Sequence, residues 1–135
     1  MSEEIKKGKV TGLGGVFFKS NDPEALKKWY EEHLGLPCDQ YGHLFTWRKD
    51  DSPEQKGYTQ FSVFNSDSEY LKPSEKPYML NFIVDDVKLM VERLQKSGMQ
   101  VIGEITEYEY GKFAWVMDPD GNKIELWEPV DQAFG

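Results

Sequence analysis

The apolar and polar positions alternate between two rhythms, and they do so twice. Val10 to Lys19 reads as a strand, with Gly12, Gly14 and Gly15 in its first half. Glycines inside a strand mark close approach of backbone or ligand. Asn21-Asp22-Pro23-Glu24 is a helix start. Asp22 can cap, Pro23 suits the first helical position, and Glu24 complements the helix dipole. Leu26, Trp29, Tyr30 and Leu34 then recur at helical spacing, and Gly35 ends the helix. Short strands are expected near Cys38–Tyr41, His43–Arg48 and Tyr58–Phe64, with a polar loop from Lys49 to Gly57. The polar stretch 65–77, carrying Pro73 and Pro77, is the expected linker.

After it the pattern returns. Tyr78 to Val84 reads as a strand, and Asp85-Asp86 opens a helix with Val87, Met90, Val91 and Leu94 on one face, closed near Gly98. Strands follow near Val101–Thr106, Lys112–Met117 and Lys123–Trp127, the last two joined by the turn Asp118-Pro119-Asp120-Gly121. Glu128 to Gly135 reads as a tail. The order strand, acid, helix, glycine, strands is written twice, and such self-similarity predicts two copies of one unit. The expected fold is α+β: one domain over residues 1–135, with module one at about 10–64, a linker at 65–77 and module two at about 78–128.

Side chains alternate across a strand, so each strand offers one row to the helices and one to the opposite face. Leu80, Phe82 and Val84, and likewise Ile124 and Leu126, form uniformly apolar rows suited to helix packing. The other rows hold Gly15, Phe17 and Lys19; Met79, Asn81 and Ile83; and Lys123, Glu125 and Trp127. They should face an enclosed space. A carboxylate there is costly unless paired, hydrated or metal-bound, which singles out Glu125.

Composition narrows the partners. Sixteen basic against 24 acidic residues give a net charge of −8, which argues against nucleic acid and anionic membrane surfaces and is compatible with a cationic ligand. Eight Phe, seven Tyr and four Trp are more rings than one small core needs, so some are expected in a pocket or interface. The single Cys38 allows neither an intramolecular disulfide nor a multi-cysteine metal site. Residues 1–9 are charged and lack an apolar signal segment, so the cytoplasm is the expected compartment.

The ordered set Asp22-Pro23-x-x-Leu26-x-x-Trp29-Tyr30-x-x-x-Leu34-Gly35-Leu36, then Phe82-x-Val84-Asp85-Asp86-Val87, then Asp118-Pro119-Asp120-Gly121-Asn122-x-Ile124-Glu125-Leu126 resembles the vicinal oxygen chelate superfamily. That superfamily includes glyoxalase I, bleomycin-resistance proteins, extradiol dioxygenases and fosfomycin-resistance enzymes. The resemblance implies two βαβββ modules whose sheets curve into a cup. It also implies a divalent metal held by a His-like residue on the first strand of each module and a Glu-like residue on the last. Carried over, those positions fall on Gly15, Met79, the Gln60/Ser62 strand and Glu125. Only Glu125 is a competent ligand, so neither metal nor other cofactor is expected. His33 and His43 lie away from those positions.

Two main functions remain open. The first is a metal-free protein binding a small aromatic or cationic molecule, as bleomycin-resistance members do. Phe17, Trp47, Gln60, Ser62, Met79, Asn81, Trp115, Glu125 and Trp127 are its candidate binding residues, with Phe45 and Phe113 as further candidate rings. The alternative is a glyoxalase-type lyase or isomerase, or a related dioxygenase. There Glu125 would act as base, or as ligand of a rebuilt metal site, and Gln60, Ser62 or Asn81 would hold the oxyanion. A regulatory module without a small ligand is a third reading. The resemblance further implies a homodimer.

Overall fold

The computed structural model describes residues 7–130. In chain order the elements are β1 (Val10–Ser20), α1 (Pro23–Leu34), β2 (His43–Arg48), β3 (Lys56–Asn65), β4 (Tyr78–Val84), α2 (Val87–Lys96), β5 (Thr106–Tyr108), β6 (Gly111–Met117) and β7 (Lys123–Pro129). The strands form one mixed sheet in the order β2-β3-β1-β4-β7-β6-β5. β1 pairs parallel with β3, and β4 pairs parallel with β7, so the two halves repeat each other. β1 and β4 join antiparallel at the centre. The fold is α+β, and a single chain supplies both halves of the sheet.

The helix starts follow local chemistry. The Asp22 carboxylate accepts from the Ala25 N–H at 3.1 Å, and the Asp86 carboxylate from the Leu89 N–H at 3.0 Å. Each satisfies an amide that the first helical turn leaves without a partner. Gly35 closes α1 in the left-handed region at φ 67°. α2 stops at Lys96, two residues before Gly98, with Ser97 as its cap.

The helices bury unequal faces. α2 sets Val87, Met90 and Val91 against Val84, Ala114, Val116 and Leu126 in a closed apolar cluster. α1 buries only Lys27, whose ammonium reaches the carbonyls of Gln40 at 3.1 Å and Asp39 at 3.4 Å and pairs with Glu24 at 2.9 Å. Its aliphatic stem packs while its charged end ties down the chain after the helix.

Two expected strands shrink to single bridges. Cys38–Tyr41 is reduced to the pair Asp39/Gly42, because the chain turns back at once with Gly42 at φ 113°. Val101–Thr106 is reduced to the pair Val101/Val116; Gly103, at φ 69°, interrupts it before β5 begins at Thr106. The expected tail is partly strand. Glu128 and Pro129 complete β7, and the Glu128 carboxylate accepts the Val87 N–H at 2.8 Å. Residues 131–135, like residues 1–6 of the charged start, lie outside the described residues. The stretch 65–77 is more than a connection: Leu71 is fully buried against Phe17 and Met79.

Candidate functional site

The register of the sheet sets one line of residues across its centre. Gly15 of β1 stands beside Gln60 of β3 on one side and Asn81 of β4 on the other. Asn81 stands beside Glu125 of β7. Gln60, Gly15, Asn81 and Glu125 therefore occupy matching places in the two halves. Gly15 corresponds to Asn81, and Gln60 to Glu125. This row faces away from the helices into an open cup of about 990 Å³.

Glu125 is a buried carboxyl side chain, 4% exposed. Asn81 Nδ2 donates to its Oε1 at 2.6 Å, Trp115 Nε1 donates to its Oε2 at 2.9 Å, and the Tyr70 hydroxyl donates to Oε2 as well. All three donors are neutral. No ion pair among the described residues engages Glu125. Lys123, two residues away on the same face, sends its ammonium to the Tyr70 carbonyl at 2.6 Å, lying 5.2 Å and 5.8 Å from the rings of Tyr70 and Trp115. Burial pushes the Lys123 ammonium below the ordinary lysine value, and the nearby Glu125 charge partly opposes that. Burial first, and the Glu125 carboxylate second, hold the Tyr70 phenol above the ordinary tyrosine value. Tyr70 therefore stays a donor well into alkaline pH.

Asn81 is 2% exposed, and its Oδ1 is buried without a hydrogen-bond partner among the described residues. A Cβ on Gly14 would stand 2.1 Å from that oxygen, so only glycine leaves room for the amide. At the other end of the row Gln60 Nε2 donates to the carbonyls of Tyr41 and Phe61 and to Ser62 Oγ, each at 3.1 Å. The Ser62 hydroxyl donates to the Tyr41 carbonyl at 2.6 Å. That end of the row is neutral and tied to backbone.

This row does not fit a divalent metal. Gly15 offers no side chain, and the place where one would begin lies 2.7 Å from Cζ of Phe17. The Phe17 ring fills the space a first-strand ligand needs. Asn81 and Gln60 are neutral amides, and the Glu125 oxygens already accept three N–H and O–H donors. Among the described residues no cluster of three or more His, Cys, Asp or Glu side chains is arranged to hold a metal ion.

Of the residues singled out from sequence, Phe17, Gln60, Ser62, Asn81, Glu125, Trp127 and also Phe113 line the cup. Trp115 stands behind its wall, touching Glu125 through the indole N–H. Two placements are corrected. Met79 is fully buried between Phe17 and Leu71 instead of lining the cup, and the residue in line with Gly15 is Asn81. The reason is the connection to each helix: Gly15 precedes the cap Asp22 by seven residues, whereas Asn81 precedes Asp86 by five. Counting back from the caps therefore lands two residues early. Trp47 is not in the cup either; its ring covers Gly12 and Gly57, and its N–H donates to Thr59 Oγ1 at 2.8 Å. Phe45 is exposed and packs on His43, which bonds the Pro37 carbonyl at 2.8 Å; His33 lies against Trp29.

Sequence reasoning missed Tyr41, Leu44, Phe64, Tyr70, Tyr108, Glu109 and Tyr110 as cup residues. Tyr70-Leu71 is an apolar pair inside a polar stretch, and Tyr108 and Tyr110 alternate about Glu109. Both patterns were available signals.

The family profile of the Glyoxalase/Bleomycin resistance protein/Dioxygenase superfamily matches residues 13–126. No curated protein sequence matches the chain. Among solved structures, methylmalonyl-CoA epimerase from Mycobacterium tuberculosis is similar at 21% identity, covering 96% of this chain and 95% of that one, with a TM-score of 0.62. A methylmalonyl-CoA epimerase variant from Streptomyces coelicolor, in complex with 2-nitronate-propionyl-CoA, is similar at 14% identity, covering 90% and 99%, with a TM-score of 0.67. A superfamily member from Vibrio splendidus 12B01 is similar at 13% identity, covering 86% and 98%, with a TM-score of 0.56. At such identities the structural likeness speaks for the fold alone. The profile match spans most of the chain, and the chain belongs to the Glyoxalase/Bleomycin resistance protein/Dioxygenase superfamily.

Proposed function

We propose that this chain binds a small aromatic or cationic molecule in its cup without a metal and without changing it. One observation carries the reading: at the position where a metal-ligand carboxylate is expected, Glu125 is instead held by Asn81, Trp115 and Tyr70. These contacts fix the carboxylate as part of the wall. They also engage three of the roughly four lone-pair sites through which it would otherwise bind a metal or take a substrate proton. The walls suit a planar ligand, since Phe113 stacks on Trp127 at 5.9 Å and Tyr108 on Tyr110 at 5.4 Å.

The lyase or isomerase reading keeps one support. Glu125 and Gln60 hold matching places at the two ends of the row, where a base and an oxyanion donor could flank a substrate, and two of the similar folds are named as epimerases. A thermal-shift screen of aromatic and cationic compounds separates the readings. The binding function predicts a stabilising compound that is recovered unchanged after prolonged incubation. Conversion of a compound by the wild type, abolished in Glu125→Gln, would instead establish the enzyme.

A further inference from the structure

The segment between the two halves has the hydrogen bonding of a piece that can lift as a unit. Residues 66–77 leave and rejoin the sheet at neighbouring positions of β1. The Ser66 N–H donates to the Ser20 carbonyl at 2.8 Å, and the Lys19 N–H donates to the Pro77 carbonyl at 2.7 Å. A surface segment whose ends lie this close is an Ω-loop, which can swing about its ends without disturbing the strands that carry it. Between those ends the hydrogen bonds are local. The Ser68 N–H reaches the Asn65 carbonyl, Lys72 reaches Glu69, and Ser74 reaches Leu71. Ser74 is 4% exposed, and its hydroxyl accepts the Lys76 N–H at 3.1 Å, so this buried group is also satisfied within the segment. These bonds survive when the segment moves.

Its hold on the sheet comes from two adjacent residues. Leu71 is fully buried against Phe17 and Met79. Tyr70 is tied at two points to a single strand, β7: its hydroxyl donates to Glu125, and its carbonyl accepts from the Lys123 ammonium at 2.6 Å. Its ring stands edge-on to Phe64 and Trp115. Lys123 and Glu125 are 8% and 4% exposed and share one side of β7. Tyr70 thus spans two buried ionisable groups and gives each a partner, as such groups require.

We propose that residues 66–77 are a hinged lid over the Lys123 end of the cup, with Tyr70 as its latch. Closed, the lid supplies the Tyr70 wall and seals Lys123 and Glu125. Open, it lengthens the cup toward Lys123 and admits water to the Glu125 carboxyl group. Leu71 in its socket makes the closed form the resting one, and the two Tyr70 bonds to β7 set how often it opens. Such a lid governs access whether the cup releases its ligand unchanged or converts it.

The test is hydrogen exchange on the full chain, with backbone amides followed by mass spectrometry. The Trp115 indole N–H, which donates to the same carboxyl oxygen as Tyr70, is followed by NMR, its resonance assigned through Trp115→Phe. In the wild type, amides of 66–77 and the Trp115 indole should exchange at least about tenfold faster than amides of β4 and β7. Tyr70→Phe keeps the ring and the carbonyl but removes one bond of the latch. It should speed both signals by about three- to tenfold and leave backbone exchange in α2 and β6 unchanged. A speed-up spread equally over α2 and β6 would report general destabilisation and overturn the lid. A faster segment with an unchanged Trp115 indole would overturn its role as the cover of Glu125. Wild-type amides of 66–77 exchanging no faster than those of β4 would show that the segment opens only with the whole fold, and would overturn the proposal without any variant.

Discussion

The two ends of the central row hold matching places but different chemistry. Gln60 and Glu125 occupy equivalent places, each beside the first strand of its own half. At the Gln60 end the side chain is neutral, and its amide nitrogen is spent on the Tyr41 and Phe61 carbonyls and on Ser62. At the Glu125 end a carboxyl group is buried, and three side chains from three separate segments converge on it. The repeat duplicates backbone pairing, which depends on strand pattern and caps. It does not duplicate chemistry, which depends on single residues.

The largest effect should come from emptying the Glu125 end. Glu125→Leu strands the donors of Asn81, Trp115 and Tyr70, and each buried unpaired donor costs about 1–3 kcal/mol, so a loss of about 3–5 kcal/mol is expected in urea unfolding. Gln60→Leu should cost about 1 kcal/mol, because its carbonyl partners retain other donors or water. Equal losses would erase the difference between the ends.

Next in size is an attempt to rebuild a ligand. Gly15→His brings a Cβ to 2.7 Å from Phe17 Cζ and forces that ring out of its packing with Leu71 and Met79. Overpacking of this kind costs about 2 kcal/mol, read as a lower melting temperature. A variant as stable as wild type would show that the space is not filled as described.

Tyr70→Phe removes one donor from the carboxylate and should cost about 1 kcal/mol. Its clearer signature is spectroscopic. The Tyr70 phenol ionises above the ordinary tyrosine value in the folded protein. Its contribution to stability is therefore fully present below that ordinary value and is lost as pH rises beyond it. Absorbance titration of the wild type should show a late-ionising tyrosine that is missing from Tyr70→Phe.

Much of this contrast could be read before any coordinates. Asp22 and Asp86 marked both helix starts, and alternation along β4 and β7 separated the rows packed under α2 from Asn81 and Glu125 on the cup side. Glu125 stood out because a carboxylate on an enclosed face needs a reason. The line-up across strands was beyond reach, because strand pairing is a long-range property and the two strand-to-helix connections differ in length. That difference moved the partner of Gly15 from Met79 to Asn81. Tyr70 was missed because polar neighbours hide it; its place follows from Leu71 anchoring the segment in the core. The weak face of α1 was equally hidden, since Trp29 and Leu34 keep helical spacing while remaining 49% and 63% exposed.

The central claim is that Glu125 serves an organic ligand rather than a metal. Its most direct test is metal content by plasma mass spectrometry, after the purified chain is stripped and then dialysed against Zn, Ni, Mn and Fe(II) in turn. Well under one metal per chain is predicted for each ion, unchanged in Glu125→Gln. One tightly held metal per chain, lost in Glu125→Gln, would contradict the account.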